Sequence, residues 1–348
     1  MTANARRDFI KLAGLGSASL LFPFSSSSLF YSDSKLYPHR LKKGDLIGIV
    51  SPAGPTFKKS DLSKVESSIA AMGLKVKFGK HVLSKHGYLA GTDEERVADI
   101  HDMFENNSIK AVMAMRGGWG SNRILSMIDF DLIRNNPKIL IGFSDITSLL
   151  IAIYAKTGLI TFNGPVATSK WGRFTSNWFK KILIEGESVK MQNPRTKLDG
   201  TPTDFHKITT INPGTAEGRL IGGNLTAITS MLGSEFLPDW DGSLLFLEEV
   251  NEKIYKIDRM LTQLKLAGVL DKVSGVIIGK CVQCEPSKIT QSLSLEEVFN
   301  DRFKPLGVPV YSGAMIGHID RIFTLPIGVK ARMDAAVGTI ELLEPAVR

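Results

Sequence analysis

The sequence predicts an α/β fold: a mostly parallel sheet covered on both faces, then a smaller mixed sheet. Three observations lead there. Short apolar runs alternate with longer amphipathic ones through the first half of the chain, the pattern of strand and crossover helix. The 348 residues, 43% apolar and 22% charged, suffice for two ordinary domains with a large core. Over residues 186–213 the periodicity stops and Pro194, Pro202 and Pro213 punctuate a polar stretch, as in a connection between units. The expected division is a leader over 1–30, a first domain over 40–185, a linker over 186–213 and a second domain over 214–348.

The leader stands apart from the fold. Arg6-Arg7-Asp8-Phe9-Ile10-Lys11 precedes an uncharged, mostly apolar run over 12–24, the layout of a twin-arginine export signal. That run is too short to span a bilayer comfortably. Ser25 to Ser28 offer small residues but no Ala-x-Ala site, so cleavage and retention as a membrane tether both stay open. The expected location is a bacterial periplasm, with the export machinery as one partner. The formal charge of +8 falls to about +6 without this segment, and Lys and Arg are interspersed with acids. No basic stripe interleaved with aromatics is present, so no nucleic-acid partner is expected.

The first domain opens with Lys43-Gly-Asp-Leu-Ile-Gly-Ile-Val-Ser-Pro-Ala-Gly-Pro55, a buried strand ending in a Pro/Gly turn. Ser60 reads as the N-cap of a helix bearing Leu62, Val65, Ile69 and Met72, ended by Gly73. A strand over 74–78 follows. Thr92-Asp-Glu-Glu95 is a capping box before a helix with Val97, Ile100 and Phe104 inward. Residues 109–115 make the next strand, 139–143 another, and 159–162 a fifth. In the second domain, strands are expected at 216–225, 243–249, 273–278, 308–315, 323–329 and 339–343. Helices are expected through Leu232, with Ile254, Ile257, Leu261 and Leu264 on one face, and over 295–303.

Two turns of the first domain carry chemistry. Arg116-Gly-Gly-Trp-Gly-Ser-Asn-Arg123 follows a strand, and its adjacent glycines let backbone N–H groups face a ligand. It lacks both dinucleotide and P-loop spacing, and a turn serving only chain reversal is the commoner outcome. In Lys138-Ile-Leu-Ile-Gly-Phe-Ser-Asp-Ile-Thr, Ser144 sits between a strand and a helix bearing Ile146, Leu149, Leu150 and Ile153 inward. A serine there projects its hydroxyl above the carboxyl edge of a sheet, beside free helix-start donors; equally it caps the helix. Gly117, Gly118 and Ser144 would share that edge, where open parallel sheets bind ligands.

A hydrolytic serine needs a base and an acid to orient it. His318 follows a strand and a glycine, and Glu248 and Glu249 end another strand. Each alone reads as a solvated edge group. His39, His81, His86, His101 and His206 lie in loops or on helices without a motif and make poorer bases. Cys281-Val-Gln-Cys284 closes an apolar strand. One such pair is a weak zinc signal, and it reads as structural, with a disulfide or redox role conceivable in an exported protein.

From Gly44 to Asp334 the chain resembles the bacterial LD-carboxypeptidases, a serine peptidase family that includes the microcin C immunity peptidases. The resemblance rests on Gly44-Asp-Leu-Ile-Gly-Ile-Val-Ser-Pro-Ala-Gly, Arg116-Gly-Gly-Trp-Gly, Ile141-Gly-Phe-Ser-Asp-Ile-Thr and Gly218-Arg-Leu-Ile-Gly-Gly-Asn-Leu-Thr. It continues in Leu247-Glu-Glu-Val-Asn-Glu-Lys-Ile-Tyr-Lys-Ile-Asp-Arg-Met-Leu, Gly275-Val-Ile-Ile-Gly and Pro309-Val-Tyr-Ser-Gly-Ala-Met-Ile-Gly-His. It implies a parallel N-terminal α/β domain, a smaller swivelling C-terminal one, and an active site in the cleft between. It implies a triad of Ser144 as nucleophile, His318 as base then acid, and Glu248 as orienting acid, chosen over Glu249. The oxyanion donors would be backbone N–H groups of Asp145 and of Gly118 or Gly117, with no metal and no cofactor. The reaction implied is removal of the terminal D-alanine from murein tetrapeptides, by a homodimer. Trp119 stands where the family commonly has tyrosine, and most murein-recycling members are cytoplasmic.

Overall fold

Every other residue of a strand such as Leu46–Val50 must find a neighbour, and here both faces are apolar, so the strand is covered on both sides. The computed structural model describes residues 35–56, 58–194, 203–286 and 291–348; the expected export segment lies outside them. The first half runs β1 (Leu46–Val50), α1 (Ser60–Ala70), β2 (Lys75–Phe78), α2 (Asp93–Glu105), β3 (Ile109–Ala114), α3 (Phe130–Asn135), β4 (Ile139–Gly142), α4 (Thr147–Thr157), β5 (Thr161–Asn163) and α5 (Arg173–Leu183). The second runs β6 (Lys190–Gln192), β7 (Thr209–Asn212), β8 (Thr215–Asn224), α6 (Leu225–Ser230), β9 (Ser243–Val250), α7 (Ile254–Leu266), β10 (Gly275–Val282), α8 (Leu295–Phe303), β11 (Val310–Ser312), β12 (Leu325–Ile327), β13 (Lys330–Asp334) and β14 (Thr339–Leu342).

Six strands form the first sheet in the order β12-β5-β4-β3-β1-β2. All pair in parallel except β12, which joins β5 antiparallel. Pro326, in the middle of β12, has no N–H to give, which an edge strand tolerates. The order reverses between β1 and β3, so the crevice past their carboxyl ends is the ligand position for such a sheet. The second sheet has eight strands, β6-β14-β13-β8-β9-β10-β11-β7, with a parallel centre of β8 to β11 flanked by antiparallel pairs.

Several elements depart from the sequence reading. Ser60 is the first residue inside α1 and caps nothing, because the turn is already wound at Lys58 and Lys59. Thr92 does form its capping box with Glu95. The 186–213 stretch supplies β6 and β7, the two outer strands of the second sheet, and that sheet has more strands than the first. Of the run 323–329, only Leu325–Ile327 is a strand, and it belongs to the first sheet.

Candidate active site

Ser144 lies where β4 gives way to helix. The chain enters through extended Phe143, makes a 3-10 turn over Ser144–Ile146 and continues into α4. Ser144 itself has φ +65°, one of three non-glycine residues with positive φ among those described. A serine there carries local strain of about 1–3 kcal/mol, held by the packing around it. Its hydroxyl does not cap the helix, and lies 2.8 Å from Nε2 of His318.

The histidine reaches Ser144 from the second sheet. His318 follows β11, and its Nδ1 lies 2.8 Å from Oε2 of Glu248 at the end of β9. The ring packs edge-on against Phe143, with centroids 5.0 Å apart. Gly317 precedes it at φ +116°; a side chain there would meet the Lys280 carbonyl at 2.9 Å and Glu248 Oε2 at 3.0 Å, so only glycine lets the loop close on the acid. Glu248 is 1% exposed, and its Oε1 has no hydrogen-bond partner among the described residues. Burial alone would lower the His318 pKa, but the hydrogen bond to Glu248 and the charges of Glu248 and Glu249 outweigh it and hold it above its ordinary value.

Adjacent strand residues point to opposite faces, which separates the two glutamates. Glu249, which lines the cleft, accepts from Asn224 Nδ2, the Val250 N–H, and both the N–H and hydroxyl of Thr226, at 2.7–3.1 Å. Burial nevertheless raises its pKa, against these bonds. Asn224 also donates its N–H to Thr147 Oγ1 in α4 at 3.0 Å, tying the second sheet to the serine helix.

The glycine turn lies against the serine. A Cβ on Gly117 would sit 2.9 Å from Ser144 Cβ, and one on Gly118, at φ +136°, would sit 2.8 Å from the Gly54 backbone. The Asp145 carboxylate accepts the Ser121 N–H at 2.8 Å, while the Ser121 hydroxyl donates to the Asp145 carbonyl. Arg96, 1% exposed, donates to the carbonyls of Pro52 at 2.6 Å and Gly120 at 2.8 Å. One buried guanidinium thereby fixes the loops after β1 and β3 to each other.

Ser144, Asp145, Gly117, Gly118 and His318 all line a cleft of about 1160 Å³, whose rim carries Tyr88 and Trp119, 63% and 68% exposed. The structure brings together the three expected side chains and the expected turns. His81 and His101 are engaged elsewhere, with Asp99 and with the Asp129 N–H. Sequence reasoning missed Arg96, Asn224, Thr226 and the Asp145 side chain. Arg96 left a local signal, a charge beside Val97 on the buried side of an amphipathic helix, whereas Asn224, Thr226 and the Asp145 side chain stood inside segments of the family resemblance with no role assigned to them.

A strained serine at a strand-to-helix turn, an imidazole within hydrogen-bond reach and a buried carboxylate behind it define a serine-type hydrolase. The chain belongs to the LD-carboxypeptidase family: its N-terminal domain description matches residues 47–164 and its C-terminal domain description residues 217–333. The chain is 41% identical over 307 residues to the probable murein peptide carboxypeptidase of Bacillus subtilis, covering 87% of this chain and 92% of that protein. It is 34% identical to the microcin C7 self-immunity protein of Escherichia coli, over 87% of this chain and 94% of that one. The apo structure of the microcin C7 self-immunity protein superposes with TM-score 0.79 at 31% identity, covering 90% of this chain and all of that one. The muramoyltetrapeptide carboxypeptidase of Oxalobacter formigenes does so with TM-score 0.72 at 29% identity, over 85% and 97%.

Proposed function

We propose that this protein is an LD-carboxypeptidase that removes the terminal D-alanine from murein tetrapeptides through an acyl-enzyme. The observation that carries the reading is the position of His318, 2.8 Å from Ser144 Oγ on one side and from Glu248 Oε2 on the other. In acylation His318 Nε2 takes the hydroxyl proton as Ser144 Oγ attacks the carbonyl between the diamino acid and D-Ala. Glu248, acceptor for Nδ1–H, fixes the tautomer and stabilises the imidazolium. The tetrahedral oxyanion is held by the N–H of Asp145, a helix-start donor, and by that of Gly118, with Gly117 beside it. Collapse passes the proton to the departing D-Ala amine, and His318 then activates the water that releases the shortened peptide. The test is D-Ala release from purified murein tetrapeptide; no release by well-folded enzyme sinks the reading.

A second reading keeps the chemistry and changes the substrate to a peptide–nucleotide conjugate. It is favoured by the width of the cleft and the exposed aromatic pair Tyr88 and Trp119, able to stack on a base. Parallel turnover of murein tetrapeptide and an aspartyl sulfamoyl adenosine separates the two, the tetrapeptide expected to be preferred. A non-catalytic capture of murein peptides is the third reading, and turnover of either compound excludes it. Export to the periplasm and pairing into a homodimer belong to the same proposal, the first supported by the Arg6-Arg7 leader, the second by family resemblance alone; cell fractionation and sedimentation test them.

A further inference from the structure

The Cys281–Cys284 pair lies at the triad's back. β10 runs between the strand that carries Glu248 and the one that leads to His318. Its register against β9 slips between Ile278 and Cys281, a bulge that sets Cys281 opposite Glu249 and Val282 opposite Val250. Beyond it Asn251 donates its N–H to the Val282 carbonyl at 2.9 Å, while on the other side the Lys280 N–H donates to Ile316, two residues before His318. Cys281 lines a narrow crevice together with Glu248 and Glu249. The turn between the cysteines is held by Gln283 at φ +54°, and with Ser144 and Asn251 it completes the set of non-glycine positive-φ residues described. Ser144 and Asn251 both line the cleft.

The two thiols are unbridged, and Cys284 Sγ donates to the Val282 carbonyl at 3.6 Å, within the turn that joins them. We propose that Cys281 and Cys284 are a redox-active dithiol that reacts with disulfides and, on closing, alters the strand end held between Glu248 and His318. Cys284 is the attacking sulfur: it lies part-exposed between exposed Gln283 and Glu285, and the neighbouring Cys281 thiol lowers its pKa, whereas the neighbouring Cys284 and burial raise that of Cys281. The Cys284 thiolate attacks one sulfur of an external disulfide and expels the other as a thiolate. Cys281 then loses its proton and attacks Cys284 Sγ, expelling the second thiol. Two electrons and two protons leave the protein, and the external disulfide becomes two thiols.

Closing has an electrostatic consequence at the base. The groups whose negative charge raises the His318 pKa are Glu248, Glu249 and the thiolate form of Cys284. Oxidation removes the last of these, so the imidazolium formed during acylation loses part of its support. The effect on turnover rests on the function proposed above; the thiol chemistry does not.

Full-length protein is equilibrated in glutathione buffers of graded ratio, and in a parallel arm with an oxidised dithiol protein, which separates a small-molecule source of the disulfide from a protein one. Intact mass and alkylation count the thiols, NMR of the His318 ring follows its titration, and D-Ala release gives kcat/KM. The expected result is a single two-electron transition in at least one arm, a lower His318 titration midpoint in the oxidised form, and kcat/KM reduced about threefold or more, as for loss of one nearby charge. Cys284→Ser is expected to be insensitive to the buffer, whereas Cys281→Ser, lacking the resolving thiol, is expected to stop at a mixed disulfide on Cys284 that intact mass detects; Cys284→Ser alone suffices if Cys281→Ser does not fold. Two thiols persisting in both arms overturn the proposal, as does a disulfide that leaves His318 unmoved. Absence of D-Ala release in either state counts against the peptidase reading instead, with mass and His318 still deciding the redox one.

Discussion

The two sheets meet at the site with their carboxyl edges and contribute in different currencies. The first supplies backbone: a serine in a left-handed turn, two glycines packed against it and helix-start N–H groups, fixed by Arg96 and Asp145. The second supplies side-chain charge: buried Glu248 on His318, and buried Glu249 on Asn224 and Thr226. Backbone devices depend on shape and are broken by a methyl group. Charge devices depend on protonation and are broken by pH or by an isosteric amide.

The sharpest break is on the first sheet. Ser144→Ala is expected to cost on the order of 10⁶-fold in kcat, and His318→Ala about as much, because nucleophile and base act as a unit. Retained turnover in Ser144→Ala would discard the nucleophile assignment. Next come the adjacent glutamates. Glu248→Gln should lower kcat by about 10⁴-fold with the fold intact. Glu249→Gln should leave kcat within about tenfold and instead lower stability by about 1 kcal/mol, through an amide facing the Thr226 donors. Equal kinetic losses in the two, with unchanged melting curves, would show that the strand alternation does not divide their roles.

Gly118→Ala tests the backbone device. It places Cβ against Gly54 at φ +136° and is expected to reduce kcat about 10²–10³-fold with KM little changed. A KM effect alone would move Gly118 from oxyanion support to substrate fit. The mildest probe is pH. His318 titrates above its ordinary 6.5, and protonated imidazole cannot accept the serine proton, so kcat/KM should fall as pH drops through a value above 6.5. With the Glu248 charge removed, burial dominates; the residual activity of Glu248→Gln should keep its plateau to lower pH. An unmoved limb would assign it to another group.

Legibility in the sequence divides along the same line. Periodic elements were readable: the helix expected over 295–303 is Leu295–Phe303, and the strand expected over 109–115 is Ile109–Ala114. β6, β7 and β12 were not, since three or four residues whose partners lie up to half the chain away carry no local period. Ser60 misled because a serine before an apolar run caps a helix only if the turn has not already begun. At the site, Ser144, Glu248 and His318 were each ambiguous alone and legible together through the order of family motifs. Asn224, Thr226 and the Asp145 carboxylate act through partners from distant strands and turns, which no local spacing announces.

One strand bears on how the protein is made. β12 lies 162 residues after the end of β5 by number, yet it is the strand that finishes the first sheet beside it. Emerging from the ribosome, the nucleophile's sheet therefore waits with an open edge until nearly the whole chain is synthesised. His318, the base of the mechanism proposed above, arrives on the segment just before that strand. Completion of the sheet and arming of the serine are thus late and nearly simultaneous events, and a nascent chain has no competent hydrolase to turn on its surroundings. The same closure means that cutting the chain between the two matched regions leaves an N-terminal fragment with a bare strand edge, prone to pairing with its own copies.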